Sequence, residues 1–137
     1  MKIGQIAFLG AGNIAEAIIS GLIKSDSGIK AKLLVSDIRK ERLAFISNKF
    51  GIRTTDDNIM ALQKSDIIVL SVKPQQITGL LNEISGKILP SQLVVSVAAG
   101  ITAGYIENIL KKLPVIRAMP NTPMLVGKGM IAVCRGS

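Results

Sequence analysis

Ile6-Ala7-Phe8-Leu9-Gly10-Ala11-Gly12-Asn13-Ile14-Ala15 is the stretch on which the fold of this 137-residue chain turns. Four consecutive apolar residues read as a strand buried on both faces. A glycine ends the run. The residues that follow, 13–24, carry Ile14, Ile18 and Leu22 beside Ile19 and Ile23, a broad helical apolar face. The junction has the pattern G-x-G-x-x-A. Gly10 permits a tight turn, Gly12 lets the backbone approach a pyrophosphate, and Ala15 lets the helix pack closely on the strand. The free amides of the first helical turn and the helix dipole then face phosphate oxygens. Glycines at such spacing also occur in ordinary turns, but these close a strand and open a helix, the setting of a dinucleotide-binding motif.

The same alternation continues outward. Leu33–Val35 is a second strand, and Leu43, Ile46 and Phe50 mark a helix that Gly51 stops. A short strand near Ile52–Thr54 leads to Asp56 and Asp57, good caps for a helix through Lys64. Asp66–Val72 is a strong strand, and Ile77, Leu80, Leu81 and Ile84 give the next helix. Leu93–Ala98 is a strand, and Ile106, Ile109, Leu110 and Leu113 give a further helix. Val115–Ala118 and Met130–Val133 are the last strand candidates. Strands apolar on both faces and joined by helices predict an α/β fold: a doubly wound, mostly parallel sheet of the Rossmann kind. At this length folding would bury roughly 67% of the unfolded surface, so one domain over residues 1–137 is expected.

Composition narrows the chemistry. Histidine and tryptophan are absent and Cys134 is the single cysteine. This excludes a Ser-His-Asp triad, a Cys-His pair, a His-ligated metal and an internal disulfide within this sequence, and no metal site is expected. A reduced compartment, the cytoplasm, is the default. Residues 3–23 are apolar but interrupted by Gln5, Asn13, Glu16 and four glycines, so neither a signal core nor a membrane span is expected. Seventeen basic against nine acidic residues give a net charge of +8. The basic residues form no stripe and aromatics are only 3%, so no nucleic-acid partner is expected. The excess either solvates the surface or attracts a phosphate-bearing ligand.

Candidate site residues lie at the carboxyl ends of the strands, where open α/β sheets bind ligands. The second strand ends Ser36-Asp37, with Arg39-Lys40 just after. Asp37 stands 25 residues beyond Gly12, near the usual offset of an acid that binds a ribose 2′-hydroxyl, which favours NAD. Ser36, Arg39 and Lys40 at the same place suit a 2′-phosphate, which favours NADP; Ser36 or Asp37 also suits a helix cap. Val72-Lys73-Pro74 and Ala98-Ala99-Gly100 end two further strands, the latter small enough to admit a flat ring or a ribose. In Arg117–Pro123 two prolines bracket Asn121-Thr122 in a rigid loop. No residue is assigned as catalytic.

These segments together carry a resemblance. FLGAGNIAEAI (8–18), SVKPQ (71–75), VVSVAAG (94–100) and VIRAMPNTP (115–123) resemble, in that order, the N-terminal part of pyrroline-5-carboxylate reductase. Members of that family reduce the cyclic imine 1-pyrroline-5-carboxylate to L-proline by hydride transfer from NAD(P)H, in proline biosynthesis. The resemblance implies that Leu9, Gly10, Ala11, Gly12, Asn13 and Ile14 wrap the pyrophosphate and that Ser36 and Asp37 lie at the adenosine ribose. It implies that Asn58 contacts the cofactor and that Val72, Lys73 and Pro74 line its ribose and nicotinamide side. Ala98, Ala99 and Gly100 would lie beside the nicotinamide, and Asn121 at the rim of the substrate pocket.

Two departures stand out. Many bacterial relatives read S-N-R after the second strand, where this chain has Ser36-Asp37-Ile38. The family also has a second, helical domain that makes the dimer and supplies most of the pocket for the imine carboxylate; it is absent from these 137 residues, so a homo-oligomer is expected only with it. The expectation is a domain that binds NAD(P)H and turns over little or nothing alone. Two other readings are a stand-alone NAD(P)-sensing module and the N-terminal domain of a related 3-hydroxy acid dehydrogenase; the RAMPNTP loop favours the imine reductase over the latter.

Overall fold

The computed structural model describes residues 4–111, 113, 115–119 and 132–135. Seven strands form one sheet: β1 (Ile6–Leu9), β2 (Leu33–Ser36), β3 (Arg53–Thr55), β4 (Ile67–Leu70), β5 (Leu93–Ser96), β6 (Val115–Met119) and β7 (Ala132–Arg135). Their order is β3-β2-β1-β4-β5-β6-β7, all pairs parallel except β6 with β7. The helices are α1 (Asn13–Ser25), α2 (Lys40–Phe50), α3 (Asn58–Gln63), α4 (Ile77–Ile84) and α5 (Ala103–Ile109).

Period-two alternation along β1 divides the core. Ala7 and Leu9 pack with Leu34, Ile68, Leu70 and Val94 beneath α3, α4 and α5. Ile6 and Phe8 point the opposite way and pack with Leu33, Val35 and Val69 beneath α1 and α2. Both faces of the sheet are therefore covered by helices, which is why its strands are continuous apolar runs. Leu43, Ile46 and Phe50 of α2 are buried, as their spacing predicts. On α1 the face that packs on the sheet is Ala15, Ala17 and Ile19, while Ile18, Leu22 and Ile23 are half-buried and Ile14 is exposed.

Local chemistry sets the element ends. Gly51 adopts φ 67° after α2 and donates its amide to Ser47 at 2.8 Å, a left-handed C-terminal stop. Asp57 caps α3, its Oδ1 accepting the amides of Ile59 at 2.9 Å and Met60 at 3.2 Å. Thr102 caps α5 through the amide of Tyr105 at 3.1 Å.

Several boundaries differ from the sequence reading. The strand expected over 66–72 is confined to Ile67–Leu70, and that expected over 93–98 to Leu93–Ser96. A 3₁₀ turn, Pro74–Gln76, precedes α4, because proline opens a turn it cannot join to the preceding strand. A second 3₁₀ segment, Ser27–Lys32, fills the link from α1 to β2. The last helix ends at Ile109, short of Leu113, and Lys111 turns the chain with φ 59°. The final strand expected at Met130–Val133 is described at Ala132–Arg135, and its pairing with β6 is antiparallel.

Candidate functional site

β1 leads on one side to β2 and its neighbour on the other side is β4, so the strand order reverses between them. A crevice opens at their carboxyl ends, the position where open α/β sheets take ligands. The two glycines of the first turn do different work there. Gly10 has φ 115°, donates its amide to the Ser36 carbonyl at 2.8 Å, and lies under the segment that leaves β4. A Cβ on Gly10 would stand 2.7 Å from the backbone of Ser71 and 2.8 Å from the nitrogen of Val72. The Ser71 hydroxyl holds that segment down by donating to the Gly10 carbonyl at 2.7 Å. Gly12 has an ordinary φ of −81° and precedes α1. A Cβ there would meet nothing within 4 Å, and Gly12 faces the cavity. Protein packing demands glycine at position 10; at position 12 no protein atom does, and the open space there belongs to the cavity.

The helix ladder of α1 begins with the Glu16 amide donating to the Gly12 carbonyl at 3.0 Å. The amides of Asn13, Ile14 and Ala15 precede it and are the donors a helix leaves for another partner. Between the glycines, the Ala11 residue is clamped from both sides. Its amide donates to Asp37 Oδ2 at 2.8 Å, and its carbonyl accepts Arg42 Nε at 2.5 Å. Arg42 also reaches Glu16 at 2.6 Å, and Lys49 meets the other oxygen of that carboxylate at 2.6 Å. Phe45 lies beneath both cations, 4.8 Å from the Arg42 guanidinium and 5.5 Å from the Lys49 ammonium. The loop is thus tied to α1 and α2 before any ligand arrives.

Asp37 is the most heavily used side chain of the site. Besides Ala11 it accepts the Arg39 amide at 2.9 Å, Arg39 Nε at 3.0 Å and Arg39 Nη2 at 2.9 Å. Burial works against its ionisation, but the hydrogen bonds from the Arg39 side chain and from the Arg39 and Ala11 amides, with the charge of Arg39, outweigh it. They pull its pKa down to about 2. Deeper in, the Ser36 hydroxyl donates to Asn58 Oδ1, and Asn58 Nδ2 donates to Glu83 Oε1 at 2.8 Å.

The cavity has a volume of about 880 Å³, within the range of small-molecule and cofactor sites. It brings together Gly10, Ala11, Gly12 and Asn13 of the first turn, Ser36, Asp37 and Arg39 after β2, Asn58 of α3, and Val72 and Lys73 after β4. Other expected residues are not on its wall. Leu9 and Ala15 are fully buried in the core, the latter where α1 packs on the sheet, and Ile14 is exposed. Pro74 sits in the 3₁₀ turn, while Ala98 is buried beside exposed Ala99 and Gly100 at the end of β5. Asn121 lies outside the described residues.

Arg42, Ile38, Ser71, Gln76, Leu80 and Glu83 line the cavity and were missed by the sequence reading. Arg42 could have been found as a cation in the first turn of the helix after the second strand. Glu83 carries no sequence signal, since a charge near the end of an amphipathic helix usually faces solvent. Among the described residues no group of three potential metal ligands occurs, and no helix is long and apolar enough to cross a membrane. Helix-terminal amides, a glycine without a side chain and two guanidinium groups on one cavity suit an elongated ligand bearing phosphates.

The comparisons agree with this geometry. The family model described as "NADP oxidoreductase coenzyme F420-dependent" matches residues 5–100. The pyrroline-5-carboxylate reductase of Corynebacterium melassecola is 42% identical over 135 residues, 96% of this chain and 50% of that protein. A solved pyrroline-5-carboxylate reductase of Coxiella burnetii superposes with a TM-score of 0.90 at 34% identity, covering 99% of this chain and 51% of that one. The Plasmodium falciparum pyrroline carboxylate reductase, solved with NADP bound, gives 0.84 at 27% identity and covers all of this chain and 50% of that one. The chain spans about half the length of the curated relatives it matches. It belongs to the NADP oxidoreductase family that the matching model describes, and along nearly its whole length it is similar to about half of a pyrroline-5-carboxylate reductase.

Proposed function

We propose that residues 1–137 form the NAD(P)H-binding domain of a pyrroline-5-carboxylate reductase, which reduces 1-pyrroline-5-carboxylate to L-proline. The observation that carries the reading is the open face of Gly12 at the start of α1, in the crevice where the strand order reverses. The similarity to pyrroline-5-carboxylate reductases supports the substrate.

In this reading the amides of Asn13, Ile14 and Ala15 bind the diphosphate at the positive end of the α1 dipole. Asp37 and Arg42 hold the loop in the conformation that presents those amides. Arg39 and Asp37 stand at the adenosine ribose, with Ser36 and Asn58 behind them, and Val72 and Lys73 lead toward the nicotinamide. When bound, the reduced nicotinamide supplies the hydride taken up by the imine carbon. A substrate already protonated on nitrogen needs nothing further from this chain, so its part is binding and orientation. Asn121 stands at the rim of the substrate pocket, most of which, with any homodimer contact, is the part of the complementary half of such a reductase. A cytoplasmic setting, with its reduced thiols, fits such a domain and its single cysteine.

The test is a fusion of this chain to the complementary half of the Corynebacterium melassecola reductase. It should oxidise NADPH on addition of 1-pyrroline-5-carboxylate and release proline, while the isolated chain binds NADPH without turnover. A folded fusion that binds NADPH yet leaves the imine untouched contradicts the substrate. Robust proline formation by the isolated chain contradicts the division of labour.

A further inference from the structure

Asp37 and Arg39 are the two side chains that would tell NAD from NADP, and in this structure they are spent on each other. An ionised carboxylate has about four lone-pair sites. Each oxygen of Asp37 accepts two hydrogen bonds: Oδ1 from the Arg39 amide and Nε, Oδ2 from the Ala11 amide and Arg39 Nη2. All of its capacity is used. Its side chain is 8% exposed, and that of Arg39, which covers it, 48%.

We infer that the Asp37–Arg39 pair makes the domain nearly indifferent between NADH and NADPH, each residue suppressing the selectivity the other would confer. The inference rests on the dinucleotide reading above. A ribose 2′-hydroxyl must displace an Arg39 hydrogen bond to find an acceptor on Asp37. A 2′-phosphate must draw the guanidinium away from a paired carboxylate, or bind its outward donors beside that negative charge. Either ligand meets a preorganised competitor, and the cost falls on both. Removing one partner releases the other. Arg39 without Asp37 is a free planar fork for phosphate. Asp37 without Arg39 keeps its Ala11 anchor and regains acceptor sites for a hydroxyl, while its bare charge repels phosphate.

The experiment titrates the 137-residue chain with NADPH and with NADH by nucleotide fluorescence, in wild type, Asp37→Ser and Arg39→Ala. Wild type should bind both with affinities within about fivefold. Asp37→Ser should shift the affinity ratio toward NADPH by about tenfold, and Arg39→Ala toward NADH by about tenfold. Should Asp37→Ser fail to fold for want of the Ala11 anchor, Asp37→Asn keeps an acceptor for that amide and is read in the same way. Strong wild-type discrimination, or variants that move the ratio in one direction or not at all, overturn the inference and leave dinucleotide binding standing. Wild type that binds neither nucleotide removes the dinucleotide reading and the inference together.

Discussion

The carboxylate of Asp37 and the backbone amide of Ala11, 26 residues apart in the chain, meet at 2.8 Å. This contact joins the end of β2 to the turn between β1 and α1, so the acid after the second strand is part of the loop's architecture before it can act on any ligand.

A pH dependence follows from it. The folded-state pKa of Asp37 is lowered from 3.8 to about 2, against burial, by its bonds from Arg39 and Ala11. A depressed carboxylate stabilises the fold fully above its unfolded pKa and ceases to do so as pH falls through the folded one. The stability difference between wild type and Asp37→Asn should therefore be constant from about pH 5 to 7 and shrink between about pH 4 and pH 2. Urea midpoints measured across that range check it; a difference independent of pH would show that the carboxylate is not so engaged.

The two motif glycines should fail in opposite ways. Gly10→Ala places a Cβ against the backbone of Ser71 and Val72 at a φ of 115°, and should cost at least about 2 kcal/mol of stability. A thermal melt of the variant within a degree of wild type would contradict the close approach.

Arg42 should behave as a clamp. It binds the Ala11 carbonyl and Glu16, with its side chain 18% exposed. Arg42→Ala should lose about 1–2 kcal/mol of stability and weaken NADH and NADPH alike, because it shapes the diphosphate loop. Selective loss of NADPH would instead mark Arg42 as a reader of the 2′-phosphate.

Phe8 is fully buried between β1 and the helices α1 and α2. Phe8→Ala should cost about 3–5 kcal/mol, as a large cavity in a core this tightly shared has no room to relax. Denaturant unfolding measures it, and a loss below about 1 kcal/mol would contradict the packing.

What the chain revealed without coordinates was what depends on burial and on local backbone rules. The apolar runs at Ile6–Leu9 and Ile67–Leu70 had to be strands, and the glycine turn had to open a helix. The strand ends were less legible, because Val72 resumes the apolar run of β4 one residue later, yet the Ser71 hydroxyl holds this segment on Gly10. Ser27–Lys32 has no hydrophobic period and gave no sign of its 3₁₀ turns. At the site, Asp37 and Arg39 were visible as residue types at a telling offset. Their mutual saturation was not, since it depends on a side-chain conformation that sequence spacing does not encode. Glu83 reaches the cavity from a helix whose polar residues are indistinguishable, by pattern alone, from solvent-facing ones.

In the proposed function the open face of Gly12 receives the diphosphate of NAD(P)H. The most direct test is a fluorescence titration of NADPH with the wild-type chain and with Gly12→Val, each also followed by thermal melting. A Cβ at this position meets no protein atom within 4 Å. Gly12→Val should therefore melt close to wild type, while the saturable NADPH signal of the wild type disappears. An unchanged titration in the variant, with the fold intact, would show that the diphosphate does not bind at Gly12.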